Sequence, residues 1–204
     1  MISLLSDRPH GFYDSAVTYV PVTAPPWKLR GGGVFFIGSC FAEYLCREYR
    51  DAGLSSAFSP FGNIYNPESM AAAAEMLQSG RQIQEDECFE RGGQFYHFMF
   101  HSLKSGRSPA ELAQVLNKEI EKAGNFIKNA EAVIITAGTS IVYRLRDGKG
   151  AAVNNCHKLP ARNFERYQLS PEEAFISLRD TVNHLKTINP DLKFIITLSP
   201  VRHL

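Results

Sequence analysis

The stretch VFFIGSCFAEYLCREYRDAG, Val34 to Gly53, changes character at a single point. Val34–Ile37 is a short, unbroken apolar run, the pattern of a strand buried on both faces. Gly38-Ser39-Cys40 interrupts it. From Phe41 to Ala52 the pattern becomes helical, with Phe41, Tyr44, Leu45 and Tyr49 on one face and Gly53 as the left-handed stop. The stretch therefore reads as strand, tight turn and helix.

The same alternation continues along the chain. A weak second strand lies near Ser55–Phe58. Asn66-Pro67 opens a helix, with Asn as N-cap and Pro at the first helical position, and Gly80 ends it. CFERGGQFYHFMFHS has aromatics flanking Gly92-Gly93, which predicts a β-hairpin insertion that would cap a pocket. SPAE (Ser108–Glu111) and SPEE (Ser170–Glu173) are capping-box sequences with Pro at the first helical position. The first predicts a helix with Leu112, Val115, Leu116, Ile120, Ala123 and Ile127 on one face. The second predicts one with Phe175, Leu178, Val182 and Leu185. AVIITAG and FIITLSP are two more buried strands. Buried strands alternating with capped helices predict an α/β fold: three layers, helices on both faces of a mostly parallel sheet, strand order 2-1-3-4.

Composition narrows the function classes. The 204 residues, 44% hydrophobic, suffice for one sizeable core. Residues 1–33, rich in Pro, Gly and aromatics, read as an N-terminal arm that packs on a 34–204 domain, because Phe12, Tyr13, Tyr19 and Trp27 suit a free tail poorly. With 22 basic and 21 acidic residues, the charge carries no footprint for nucleic acid or an anionic membrane. No apolar run approaches a bilayer span, and the N-terminus does not read as a signal peptide. Cys40, Cys46, Cys88 and Cys156 are scattered, which suggests reduced thiols and a cytoplasmic location. His97 and His101 would share a face, but no third ligand is evident, so no metal site is read. No phosphate-binding glycine motif is present, and no cofactor is implied. His10 and His184 read as surface or packing residues.

In an open doubly wound sheet, ligands bind at the strand carboxyl ends where strand order reverses. That rule sets Gly38-Ser39-Cys40, after the first strand, beside Gly138-Thr139-Ser140, after the third. Ser39 would then precede a helix N-terminus, whose free N–H groups favour negative charge. A plain N-cap serine fits the same position. Cys40 is the rival nucleophile, since a helix N-terminus lowers a thiol pKa.

Five motifs occur together in one order: FFIGSCFAE, SPFGNIYNP, ITAGTSIVY, NNCHKLPARNF and TLSPVRHL. In wording and order they resemble the GSCFA family, named for the residues that stand here at Gly38–Ala42. That family in turn resembles a branch of the SGNH/GDSL hydrolases, flavodoxin-like α/β/α esterases with a serine directly after the first strand. The resemblance implies that Ser39 is a nucleophile toward a small-molecule acyl or sugar ester, with Gly38 and Cys40 in its turn. It implies that Gly62 in SPFGN donates to an oxyanion. The second SGNH donor, an asparagine in a G-x-N-D loop, is replaced here by Gly138-Thr139-Ser140. Thr139, Ser140, Asn63 and Asn155 are the candidates to substitute for it. His157, in the NNCHKLP motif, would either line the pocket or bond the loop backbone, and His203 would lie just past a strand end.

The resemblance also implies an acid and base in a D-x-x-H motif that follows the last strand, and none stands there in this sequence. The expectation is a chain truncated at its C-terminus, lacking acid and base, with a sheet edge open to a homo-oligomeric contact. Two other readings remain: a carbohydrate- or acyl-binding module without turnover, and a Cys40-based thiol enzyme.

Overall fold

The computed structural model describes residues 27–146 and 150–199. Its centre is a four-stranded parallel sheet formed by β1 (Gly33–Gly38), β2 (Ser56–Phe58), β5 (Ala130–Ala137) and β9 (Lys193–Leu198), in the order β2-β1-β5-β9. This is the expected 2-1-3-4 order. The helices are α1 (Cys40–Asp51), α2 (Pro67–Ser79), α3 (Pro109–Lys128) and α4 (Pro171–Ile188).

Alternation along the two central strands explains their unbroken apolar sequence. Phe35 and Ile37 of β1, with Val133 and Ile135 of β5, face a core closed by α2, α3 and α4. Val34 and Phe36, with Ala132 and Ile134, face a smaller core closed by α1. Phe35, Phe36 and Ile37 are fully buried, and each such side chain contributes about 1.5–3 kcal/mol over an exposed one. The result, among the described residues, is a three-layer α/β/α arrangement with one helix on one face and three on the other.

The caps follow the sequence closely. Asn66 accepts from the Ser69 N–H, and Gly80 ends α2 in the left-handed conformation. Ser170 and Glu173 form a reciprocal capping box. SPAE is only half a box: Ser108 accepts from the Glu111 N–H, while the Glu111 carboxylate takes the Arg107 N–H instead.

One helical face is rotated from expectation, and two others each lose one residue to solvent. In α1, Ala42 and Cys46 are buried with Leu45 and Tyr49 beside them, whereas Phe41 and Tyr44 are exposed. Ala42 and Cys46 share helical spacing with Leu45 and Tyr49, and their small side chains let α1 approach the sheet. Val115 of α3 and Phe175 of α4 are likewise exposed. Ile196 and Leu198 of β9 are exposed as well.

The hairpin around Gly92-Gly93 forms as β3 (Phe89–Arg91) and β4 (Gln94–Tyr96), both turn glycines at positive φ. His97–His101 follow it as a turn and not as strand. A further antiparallel sheet, absent from the sequence reading, lies between β5 and α4. It comprises β6 (Ile141–Leu145), β7 (Ala152–Val153) and β8 (Phe164–Gln168), in the order β7-β6-β8. Arg144 of β6 ties it to α2 through a paired contact with Glu68, at 3.0 and 2.7 Å.

Phe12, Tyr13 and Tyr19 lie outside the described residues. Trp27 lies inside, with the Lys193 ammonium 5.4 Å from its ring centre. Glu131, at the start of β5, gathers this region by accepting from the Arg30 and Gly32 N–H groups and from Lys193. The Lys193 bond, with the two backbone donors, lowers the Glu131 pKa from 4.5 to about 2. A lowered carboxylate pKa adds stability above the unfolded value and loses it as pH falls toward the folded value. Urea unfolding of the wild type should therefore weaken between about pH 4.5 and pH 2, and Glu131→Gln should flatten that part of the profile. Identical acid limbs for the two proteins would show that Glu131 contributes nothing.

Candidate active site

Strand β1 ends against β5, and this close approach builds the site. Gly38 has φ +140°, and a Cβ there would stand 2.3 Å from the Thr136 carbonyl oxygen, so only glycine fits. The Gly38 carbonyl accepts from the Ile64 N–H at 2.7 Å, which docks the loop after β2 onto the end of β1.

Ser39 follows as the N-cap of α1. Its N–H donates to both the Thr136 carbonyl, at 3.0 Å, and the Thr136 Oγ1, at 2.9 Å. Its Oγ lies 2.8 Å from Thr136 Oγ1 and accepts from the Phe41 N–H at 3.4 Å. The Ser39 carbonyl takes the Ala42 and Glu43 N–H groups. At the first helical position, the Cys40 N–H has no partner within the helix.

Ser39 lines a cleft of about 400 Å³ with Cys40, Phe41, Tyr65, Gly138 and Thr197. Gly138 closes in from the loop after β5: a Cβ on it would stand 3.6 Å from the Ser39 Cβ. The expected meeting of the two loops at the carboxyl edge is thus present. Tyr65 joins them, since its carbonyl accepts from both the Gly138 and Thr139 N–H groups, at 2.9 and 3.0 Å. Its phenol pKa is raised by partial burial, by a hydrogen bond and the charge of the Cys40 thiol, and by Glu43. Cys40 itself is exposed.

Other expected site residues stand elsewhere. The Gly62 N–H donates to the Ser59 carbonyl at 3.2 Å, so it is already engaged, and Gly62 borders a different cavity with Asn63. Asn63 Nδ2 donates to Glu43 at 3.1 Å. Thr139 Oγ1 accepts from the Ile141 N–H, and the Ser140 carbonyl from the Leu169 N–H. Neither hydroxyl lines the Ser39 cleft.

His157 is buried away from that cleft. Its Nε2 lies 3.1 Å from the His97 carbonyl and its Nδ1 3.3 Å from Ser102 Oγ. Phe89, Tyr96 and Phe98 pack around the ring. Asn155 Oδ1 accepts from the His157 N–H at 2.7 Å and from Ser102 Oγ at 3.2 Å. Burial lowers the His157 pKa, and lowers that of His97 to about 4. Both rings are therefore held neutral near pH 7, as parts of a hub that fastens the loop after β7 to the hairpin. His203 lies outside the described residues.

Among the described residues, no histidine or carboxylate lines the Ser39 cleft, and no group of three or more His, Cys, Asp or Glu could hold a metal. No helix among them is long and apolar enough to cross a membrane. Thr136 and Tyr65 are the site residues that sequence reasoning passed over. Both lie inside quoted motifs, ITAGTSIVY and SPFGNIYNP, but strand alternation alone would have pointed Thr136 at the α1 side of β5, beside Ser39.

The GSCFA family model matches residues 33–204. The protein is a member of the GSCFA family, with the naming residues at the β1–α1 turn. No curated protein matches the chain, and no solved structure matches it.

Thr136→Val keeps the side-chain shape and removes the hydroxyl that holds Ser39. It should destabilise the fold by about 1–3 kcal/mol, the cost of leaving a buried polar group without its partner, while Thr136→Ser should stay near wild type. Equal urea midpoints for the valine variant and the wild type would show that the pair contributes nothing.

Proposed function

We propose that the protein is a serine-dependent acyl-ester hydrolase with Ser39 as its nucleophile. One observation supports this above the others: Ser39 heads α1 in a cleft at the β1/β5 switch point, its hydroxyl fixed by Thr136. Thr136 Oγ1 already accepts the Ser39 N–H, so its own proton is available to Ser39 Oγ. The Ser39 proton is then left for a base. Ser39 Oγ would attack the acyl carbon while a base takes that proton. The carbonyl oxygen would gain the negative charge and meet the Cys40 N–H and the α1 dipole. Collapse would expel the alcohol, which recovers the proton, and water would hydrolyse the acyl-enzyme.

A serine hydroxyl needs an adjacent base. In this reading the base reaches Ser39 from outside the described residues. His203, four positions beyond the cleft residue Ser199 in sequence, is the first to test.

One observation favours a second reading, a binding module without turnover. The described cleft wall holds no base, and Ser39 Oγ already accepts from Thr136 and Phe41.

Hydrolysis of p-nitrophenyl acetate and butyrate tests the proposal. Ser39→Ala should lose the enzymatic rate, by up to ~10⁶-fold for an essential nucleophile, while the protein stays folded at a cost of about 0.5–2 kcal/mol for the lost helix cap. Cys40→Ala should keep the activity. Loss in Cys40→Ala alone would assign the chemistry to the thiol. Ester binding without turnover by the wild type would favour the binding module.

A further inference from the structure

The wall of the Ser39 cleft has one chemical character. Among the described residues, no aspartate, glutamate, histidine, lysine or arginine lines it. Its floor is the α1 side of β5 and β9, where Thr136 and Thr197 are register partners. Ala137 and Leu198 alternate to the opposite face of the sheet. Phe41 and Tyr65 are then the large apolar side chains of the described wall.

Both rings stand half open to solvent, Phe41 at 48% and Tyr65 at 43%. Phe41 takes no part in the core under α1, which Ala42 and Cys46 form. Tyr65 is placed by its main chain: its carbonyl takes the Gly138 and Thr139 N–H groups, and the neighbouring Ile64 N–H donates to the Gly38 carbonyl. A Cβ built on Gly138 would stand 3.2 Å from Tyr65 Cδ1 and 3.6 Å from Ser39 Cβ, so ring and serine meet across this glycine. One exposed aromatic is ordinary. Two of them lining one concave surface around a fixed hydroxyl match the profile of a small-molecule site.

The wall has little to offer a sugar. The N–H groups of Ser39, Phe41, Gly138 and Ser199 are already spent inside the protein, and the Thr136 hydroxyl meets Ser39. A ring of hydroxyls would lose its water here without replacement partners. An anionic chain fares no better: the described wall holds no cation, and the Glu43 charge reaches Tyr65.

We infer that the cleft takes an uncharged, apolar acyl chain, held between Phe41 and Tyr65 with its ester carbon at Ser39. The place of the ester rests on Ser39 as nucleophile, whereas the nature of the chain rests on the wall alone.

Turnover is measured on p-nitrophenyl acetate, butyrate and hexanoate, with the hemisuccinate as the anionic comparison. The wild-type kcat/KM should rise about threefold per added methylene, and the hemisuccinate should be the poorest substrate. Phe41→Ala should cut kcat/KM about tenfold for the hexanoate and less than about twofold for the acetate, and Phe41→Leu should restore most of the loss. Binding is read separately, by chemical-shift titration of the Ser39→Ala protein. Methyl hexanoate should bind more tightly than methyl acetate, adding Phe41→Ala should weaken it, and methyl β-glucoside should not compete. Absence of methyl hexanoate binding would overturn the inference, as would indifference to chain length or to Phe41→Ala, preference for the hemisuccinate, or competition by the glucoside. Chain-length-dependent binding without wild-type turnover would refute hydrolysis at Ser39 and leave the apolar chain site standing.

Discussion

The contact between the ends of β1 and β5 is the constraint on which the site depends. Gly38 lies against the Thr136 backbone with no room for a side chain. That approach lets one threonine accept the Ser39 N–H twice and meet the Ser39 hydroxyl at the same time. Ser39 is therefore held by the sheet as well as by its helix. Three segments converge on it: the turn itself, the loop after β2 through Ile64, and the loop after β5 through Tyr65. A hydroxyl fixed by buried partners on a strand end is a more exact site than one carried on a free loop.

The unequal dressing of the sheet decides where the open surfaces fall. Among the described residues, three helices bury one face deeply, while one helix, α1, covers part of the other. Thr136 and Thr197 are register partners on the α1 side of β5 and β9. The cleft opens there, beyond the reach of the single helix. On the opposite side, Ile196 and Leu198 of β9 remain exposed. The same asymmetry explains why small residues, Ala42 and Cys46, carry the α1 contact: one helix must come close to seal its strip of sheet.

Much of this was legible in the sequence. The apolar runs VFFI and AVIIT announced doubly buried strands, and Asn66, Ser108, Ser170 and Gly80 marked helix ends with definite chemistry. The meeting of Ser39 with Gly138 followed from the switch-point rule. What escaped depended on side-chain direction and on long-range pairing. Phe41, Tyr44 and Phe175 were assigned to cores by hydrophobicity, yet neighbouring positions pack better. The β7-β6-β8 sheet went unseen because its strands are short and their apolar residues are interrupted: Arg144, Glu165 and Arg166 break any run or alternation. His157 and Asn155 read as site candidates because they are polar and sit in a family motif. Their hydrogen bonds are spent on holding a loop, a role no spacing rule distinguishes from catalysis.

The central claim is that the Ser39 hydroxyl is the reacting group of the cleft. A fluorophosphonate probe, which captures activated serines, addresses it directly, with the labelled position read by peptide mass spectrometry. The account predicts stoichiometric modification at Ser39, slowed in Thr136→Val and absent in Ser39→Ala. A protein that leaves Ser39 unmodified, or that carries the label on another residue, would contradict it.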